Sequence, residues 1–137
     1  SRRMLIRGAG PTLANLGVPG VLADPVLTLS AQSTGQVLRT NDNWGTGDEA
    51  PIIASAASAA GAFPFPAGSR DAAMIVMLPP GAYTVQLAGV GGGTGVGIVE
   101  VYDVDRRHTL RVCLGLSPLK WARHLTPLLR LQLHESG

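Results

Sequence analysis

LPPGAYTVQLAGVGGGTGVGIVEVYDVD, residues 78–105, decides the fold. Pro79-Pro80-Gly81 reads as a turn, because proline presets φ near the value a turn needs and glycine accepts the positive φ that often follows. Beyond it, Tyr83, Val85 and Leu87 alternate with Ala82, Thr84, Gln86 and Ala88. That period of two marks a strand with one buried face. Thr84 and Gln86 point outward, so this strand covers one side. Val96, Ile98, Val99, Val101 and Tyr102 follow, with Glu100 between them. This second strand is more continuously apolar and is expected to lie centrally in a sheet. Gly89 to Gly97 joins the two with six glycines around Val90, Thr94 and Val96.

A glycine run after a strand invites comparison with a phosphate-binding loop. Those loops open a helix, and the P-loop adds a Lys followed by Ser or Thr. Here the run opens a β-branched segment with no lysine near it. It reads as a flexible hairpin connector.

The remaining 1–77 segment is written in the same style. Met4, Leu5 and Ile6 form a short strand that ends at Gly8-Ala9-Gly10-Pro11. Thr12–Gly20 is a loop or a single helical turn, with Leu13, Leu16 and Val18 as buried pegs. Val26, Leu27 and Leu29 lead a strand after Asp24-Pro25, and Gln36–Thr40 returns as its hairpin partner across Ser33-Thr34-Gly35. Pro51–Ala62 is alanine-rich, has proline at a first-turn position, and is the one helix expected in the body. Phe63-Pro64-Phe65-Pro66 is extended by necessity, because proline excludes the α region from the residue before it. Both phenylalanines are expected to plug one end of the core. Ala73–Leu78 is a buried strand.

The 137 residues suit one domain, or one domain with an appendage. Lysine and glutamate are scarce, while 18 glycines and 10 prolines favour short strands and tight turns. The fold class is therefore all-β: a compact antiparallel β-sandwich, jelly-roll-like, of six to eight strands with one short helix. No apolar run approaches the roughly 18 residues of a membrane-spanning helix, so no membrane insertion is expected. No signal peptide is read in these residues, and Ser1-Arg2-Arg3 reads as the cut edge of a larger protein. Cys113 is the single cysteine and has no internal disulfide partner.

Charge divides the chain. Residues 1–105 carry five arginines against eight carboxylates, a net of −3, whereas residues 106–137 carry six basic side chains against Glu135 alone, a net of +5. The basic character belongs to the tail.

LIRGAGPTLANLGVPGVLADPVLTL, then NDNWG, then AGAFPFPAGSRDAAMIVMLPPGAYTVQLAGVGGGTGVGIVEVYDVD together resemble a repeat module of large multi-repeat secreted or surface proteins of environmental bacteria, often found beside immunoglobulin-like domains. The resemblance covers about residues 4–105, with the motifs in matching order and spacing. PPGAYTV is also similar, more weakly, to a hairpin of bacterial pre-peptidase C-terminal domains, which are non-catalytic sandwiches. The resemblance implies an extracellular or cell-surface β-sandwich module, and it brings no catalytic residues. It stops at Asp105. The continuation DRRHTLRVCLGLSPLKWARHLTPLLRLQLHESG departs from such modules and holds all three histidines, the cysteine and the only lysine. Residues 1–105 are thus expected to be the module. Residues 106–137 form a basic, leucine-rich tail that a frame change or fusion would produce, as in a fragment or chimera. Leu110, Val112 and Leu114 are placed to add a terminal strand.

The chemistry-bearing residues support few sites. Nucleophilic catalysis needs Ser or Cys with a histidine base in reach. His108 with Cys113, beside Asp103 and Asp105, is the set a small hydrolase recovered from environmental DNA would use. A glycosidase-like pair of Asp103 and Asp105 lacks any feature separating the two acidities. No cofactor is expected apart from calcium, which takes six to eight oxygens from flexible loops. Its candidates are Asn41, Asp42 and Asn43, with Asp103 and Asp105. With Trp44, the first three suggest a calcium-dependent carbohydrate-binding module. The competing reading is that these residues cap turns, and that Trp44 fills the core. The tail arginines do not make a nucleic-acid surface. Open strand edges invite pairing with a second copy, so a homo-oligomer is expected, and polysaccharide or neighbouring surface modules are the other expected partners.

Overall fold

The computed structural model describes residues 1–105 together with the backbone strands at 114–116 and 128–133. The strands are β1 (Arg2–Ala9), β2 (Pro25–Ala31), β3 (Val37–Asn41), β4 (Ala72–Leu78), β5 (Gly81–Gly89), β6 (Gly97–Asp103), β7 (Leu114–Leu116) and β8 (Leu128–Leu133). Two helices are interleaved, α1 (Pro11–Asn15) and α2 (Ala50–Ala59). Every ladder is antiparallel. One sheet runs β4-β1-β6 and the other β3-β2-β5, with β7 added beside β6 and β8 beside β5.

The alternation in each strand explains how the sheets meet. Met4 and Ile6 of β1, Met74 and Val76 of β4, and Val99 and Val101 of β6 face Leu27 and Leu29 of β2 and Tyr83, Val85 and Leu87 of β5. This is the sandwich core. It is built from aliphatic side chains because the chain has few aromatics to spend. The other face of the first sheet is covered too. Leu5, Ala73 and Tyr102 pack under Ile53, Ala56 and Ala57 of α2, with Trp44 and Phe65 at the rim. The alanines let the helix lie close to the sheet. The first sheet is therefore buried on both faces, which is why β1 and β6 read as nearly continuous apolar runs.

Several expectations change. The glycine run is not a hairpin connector: β5 and β6 lie in different sheets, and residues 90–96 carry the chain across from one to the other. Gly95 of the run answers a packing need, as does Gly10 outside it. A Cβ on Gly95 would stand 2.5 Å from the Leu22 backbone nitrogen, and one on Gly10 would stand 2.2 Å from the Leu22 carbonyl oxygen. The Leu22 backbone is thus clasped between two glycines, and the crossing segment is tied to it by a parallel bridge from Val96 to Val21. β1 is longer than the three apolar residues that signal it, because it is paired on both sides, with β4 and with β6. Leu13 is buried, but Leu16 is 59% exposed, since α1 ends before it turns inward. Phe63 and Phe65 do not plug an end of the core; they lie on the outer face of the first sheet, over Arg7. The turn into β5 is held by Tyr83, whose hydroxyl donates to the Pro79 carbonyl at 2.5 Å.

Candidate functional site

Polar side chains gather in three places. The first is Asp71, between Ser69 and β4, with no exposed surface. Its Oδ1 accepts from the backbone N–H groups of Gly10 (2.8 Å) and Thr12 (3.2 Å). Its Oδ2 accepts from the Thr12 hydroxyl (2.5 Å) and the Ser69 hydroxyl (2.7 Å). Asp71 thereby satisfies donors at the start of α1 that the helix itself leaves unpaired. Trp44 joins the same group: its backbone N–H donates to the Asp71 carbonyl at 3.0 Å and its indole N–H to Ser69 Oγ at 3.1 Å. A carboxylate accepting four bonds is a fastener, with no lone pair aimed at a substrate.

The second place is a charge pair buried on the outer face of the first sheet. Arg7 of β1 and Glu100 of β6 are direct cross-strand partners. Arg7 Nη1 donates to the Phe63 carbonyl at 2.8 Å. The guanidinium carbon lies 3.8 Å from the ring centre of Phe65 and 4.6 Å from that of Phe63, close enough for cation–π attraction. The Tyr102 hydroxyl donates to Glu100 Oε2. Burial lowers the Arg7 pKa from its ordinary value, and the negative charge of Glu100 opposes that shift, with smaller help from Tyr102 and Asp71.

The third place is the end of the second sheet where β2 begins and β3 ends. Asp24 and Asp42 each keep one buried carboxylate oxygen, Oδ1, with no hydrogen-bond partner. Partial burial is the first cause raising the Asp42 carboxyl above its ordinary range; a hydrogen bond with Asp24 and the Asp24 charge add to it, while Arg70 pulls the other way.

The five calcium candidates do not come together. Asn41 spends its Oδ1 on the Ala73 backbone N–H (3.0 Å) and turns its amide toward the Asn43 carbonyl (3.4 Å). Ala73 lies opposite Arg7, near the end of β1. Asp103 lies opposite Met4, near the start of β1. There Asp103 Oδ2 is 3.7 Å from Arg2, its Oδ1 accepts from the Asp105 N–H, and Asp105 Oδ2 accepts from the Arg3 N–H at 3.0 Å. Asp103 and Asp105 thus fasten the end of β6 to the start of β1, away from Asn41–Asn43. Among the described residues no three or more His, Cys, Asp or Glu side chains are grouped to hold a metal ion. His108 and Cys113, the hydrolase candidates, lie outside the described residues.

No family model, curated protein or solved structure matches this chain. The geometry must therefore speak for itself, and what it brings together is architectural. Arg39 of β3 donates to the Ile75 carbonyl of β4 at 2.6 Å and pairs with Glu49 at the start of α2. With the Asn41 bond to Ala73, two side chains of one sheet thereby occupy outward-facing backbone groups of the other sheet's edge strand. Sequence reasoning passed over Arg7, Glu100, Asp71, Asp24 and Arg39. A signal existed for the first two: each is a lone charge inside an apolar strand, and the signs are opposite.

Among the described residues, no helix is long and apolar enough to cross a membrane.

Proposed function

We propose that residues 1–105 are a non-catalytic extracellular module with a structural, adhesive or interaction role, carried in a larger surface protein and associating through its β5/β6 side. One observation carries the reading. On the β3/β4 side the Asn41 and Arg39 side chains cover the Ala73 N–H and the Ile75 carbonyl of β4, whereas β5 and β6 each pair with a further strand from beyond Asp105. The same backbone donors and acceptors of β5 and β6 serve equally when a second copy supplies the added strands by exchange. Sedimentation of the intact chain at tens of micromolar tests this. Concentration-dependent self-association is expected, and a monomer across the range overturns the associating role.

A calcium-dependent carbohydrate-binding module is the second reading. It draws on the buried Oδ1 atoms of Asp24 and Asp42, which have no hydrogen-bond partner, with Trp44 close after Asp42 in the chain. Calorimetric titration with calcium, followed by polysaccharide with and without chelator, decides it; no heat with calcium removes this reading.

A further inference from the structure

Beneath the Phe63–Pro66 segment, three buried polar atoms have no hydrogen-bond partner: Arg7 Nε, Arg7 Nη2 and Glu100 Oε1. Both side chains are nearly sealed from solvent, Arg7 at 1% and Glu100 at 7% exposure. Nη2 and Oε1 approach to 3.4 Å, close enough to attract but long for a well-formed hydrogen bond. The other polar atoms of the pair are engaged, Nη1 by the Phe63 carbonyl and Oε2 by the Tyr102 hydroxyl. Two donors and one acceptor thus converge with their hydrogen bonds unmade, in a layer where such groups are almost always satisfied.

We infer that Arg7 and Glu100 form a binding cell for one enclosed, neutral, water-sized ligand, which in aqueous solution is water itself. The chemistry of the three atoms selects it. The ligand accepts from Arg7 Nε–H or Nη2–H and donates to Glu100 Oε1. An anion would face the Glu100 carboxylate and a cation the Arg7 guanidinium, so the pair's neutrality rejects both. The rings of Phe63 and Phe65 stand over the guanidinium and cover it. A buried water typically makes about two to four hydrogen bonds, which these atoms supply. The cell gives the charge pair the solvation it otherwise lacks, and the aromatic segment above it controls exchange with bulk solvent.

A high-resolution crystal structure of the intact chain is the first test. One well-ordered solvent peak is expected, about 2.7–3.2 Å from Glu100 Oε1 and from Arg7 Nε or Nη2. A direct two-point Arg7–Glu100 pair with no solvent peak overturns the inference. Oxygen-17 relaxation dispersion tests it in solution by counting long-lived waters. The Arg7→Met, Glu100→Leu double variant should hold one fewer than the parent; an equal count also overturns the inference. If the double variant does not fold, the crystal structure of the parent still decides.

Discussion

Arg7 and Glu100 stand opposite each other across the β1/β6 ladder, with Arg7 Nη2 3.4 Å from Glu100 Oε1. Because side chains alternate along a strand, Arg7 shares its face with Leu5, and its neighbour Ile6 lies in the sandwich core. Slipping β1 by one residue would drive the guanidinium between the two sheets and lift Met4 and Ile6 out. The pair therefore sets the register of the strand at the centre of the first sheet, whatever its net energy.

Removing one partner should cost far more than removing both. Arg7→Met leaves the Glu100 carboxylate buried without its counter-charge, an expected loss of about 3–5 kcal/mol. Glu100→Leu should cost a comparable amount. The double variant, with an apolar pair of similar volume, should recover most of that loss. Urea unfolding of the three variants checks it. Additive losses in the double variant would mean the two side chains act separately.

Asp71 should be as sensitive to replacement as Glu100, for a different reason. Asp71→Ala removes four hydrogen bonds, from Gly10, from Thr12 twice and from Ser69. At roughly 1 kcal/mol or more each, the expected loss exceeds about 3 kcal/mol. Asp71→Asn should cost less, since it keeps one acceptor. The indole N–H resonance of Trp44, bonded to Ser69 Oγ, should shift in both variants. An unmoved resonance would separate Trp44 from this network.

Much of this was readable from the chain alone, and the limits are physical. Tyr83, Val85 and Leu87 announce a half-buried strand through period two, and the alanines after Pro51 announce a helix, because both signals are local. Which strands pair is not local. The glycine run looks like a hairpin because β5 and β6 are adjacent in sequence, yet β5 pairs with β2, bringing Gly89 to Pro25. Asp71 sits in AGSRDAA, which reads as a surface turn. Its burial comes from Gly10 and Thr12, about sixty residues earlier. The calcium candidates are oxygen-bearing side chains in two short clusters far apart in sequence. Folding commits Asn41 and Asp105 to distant backbone N–H groups instead.

Asp42 gives a pH dependence of known sign. Its carboxyl is raised above the ordinary 3.8 by partial burial and by Asp24. Folding thus favours the protonated form. The contribution is fully present below the ordinary value and is lost as pH rises through the raised one. Asp42→Asn keeps the neutral state at all pH values. Its melting temperature relative to the parent should therefore improve as pH rises from the ordinary 3.8 and level off above the raised value. A difference that is flat over that range would count against the Asp24–Asp42 interaction.

The β3/β4 side gives the last prediction. Asn41 and Arg39 occupy the Ala73 N–H and the Ile75 carbonyl, groups that β4, as an edge strand, would otherwise turn outward. Period-two geometry puts the Met77 backbone in the same outward row, and Met77 is exposed together with Val37 and Leu38 of β3. The two side-chain bonds thus keep an apolar edge from extending into a longer template for strand pairing. Asn41→Ala and Arg39→Ala should each lose about 1 kcal/mol. The double variant should aggregate faster than its stability loss alone explains. Light scattering at matched fractions of unfolded protein separates the two effects. Amide hydrogen exchange at Ala73 should quicken in Asn41→Ala and hold in Arg39→Ala. Unchanged exchange at Ala73 in Asn41→Ala would show that this edge is protected by something other than the Asn41 side chain.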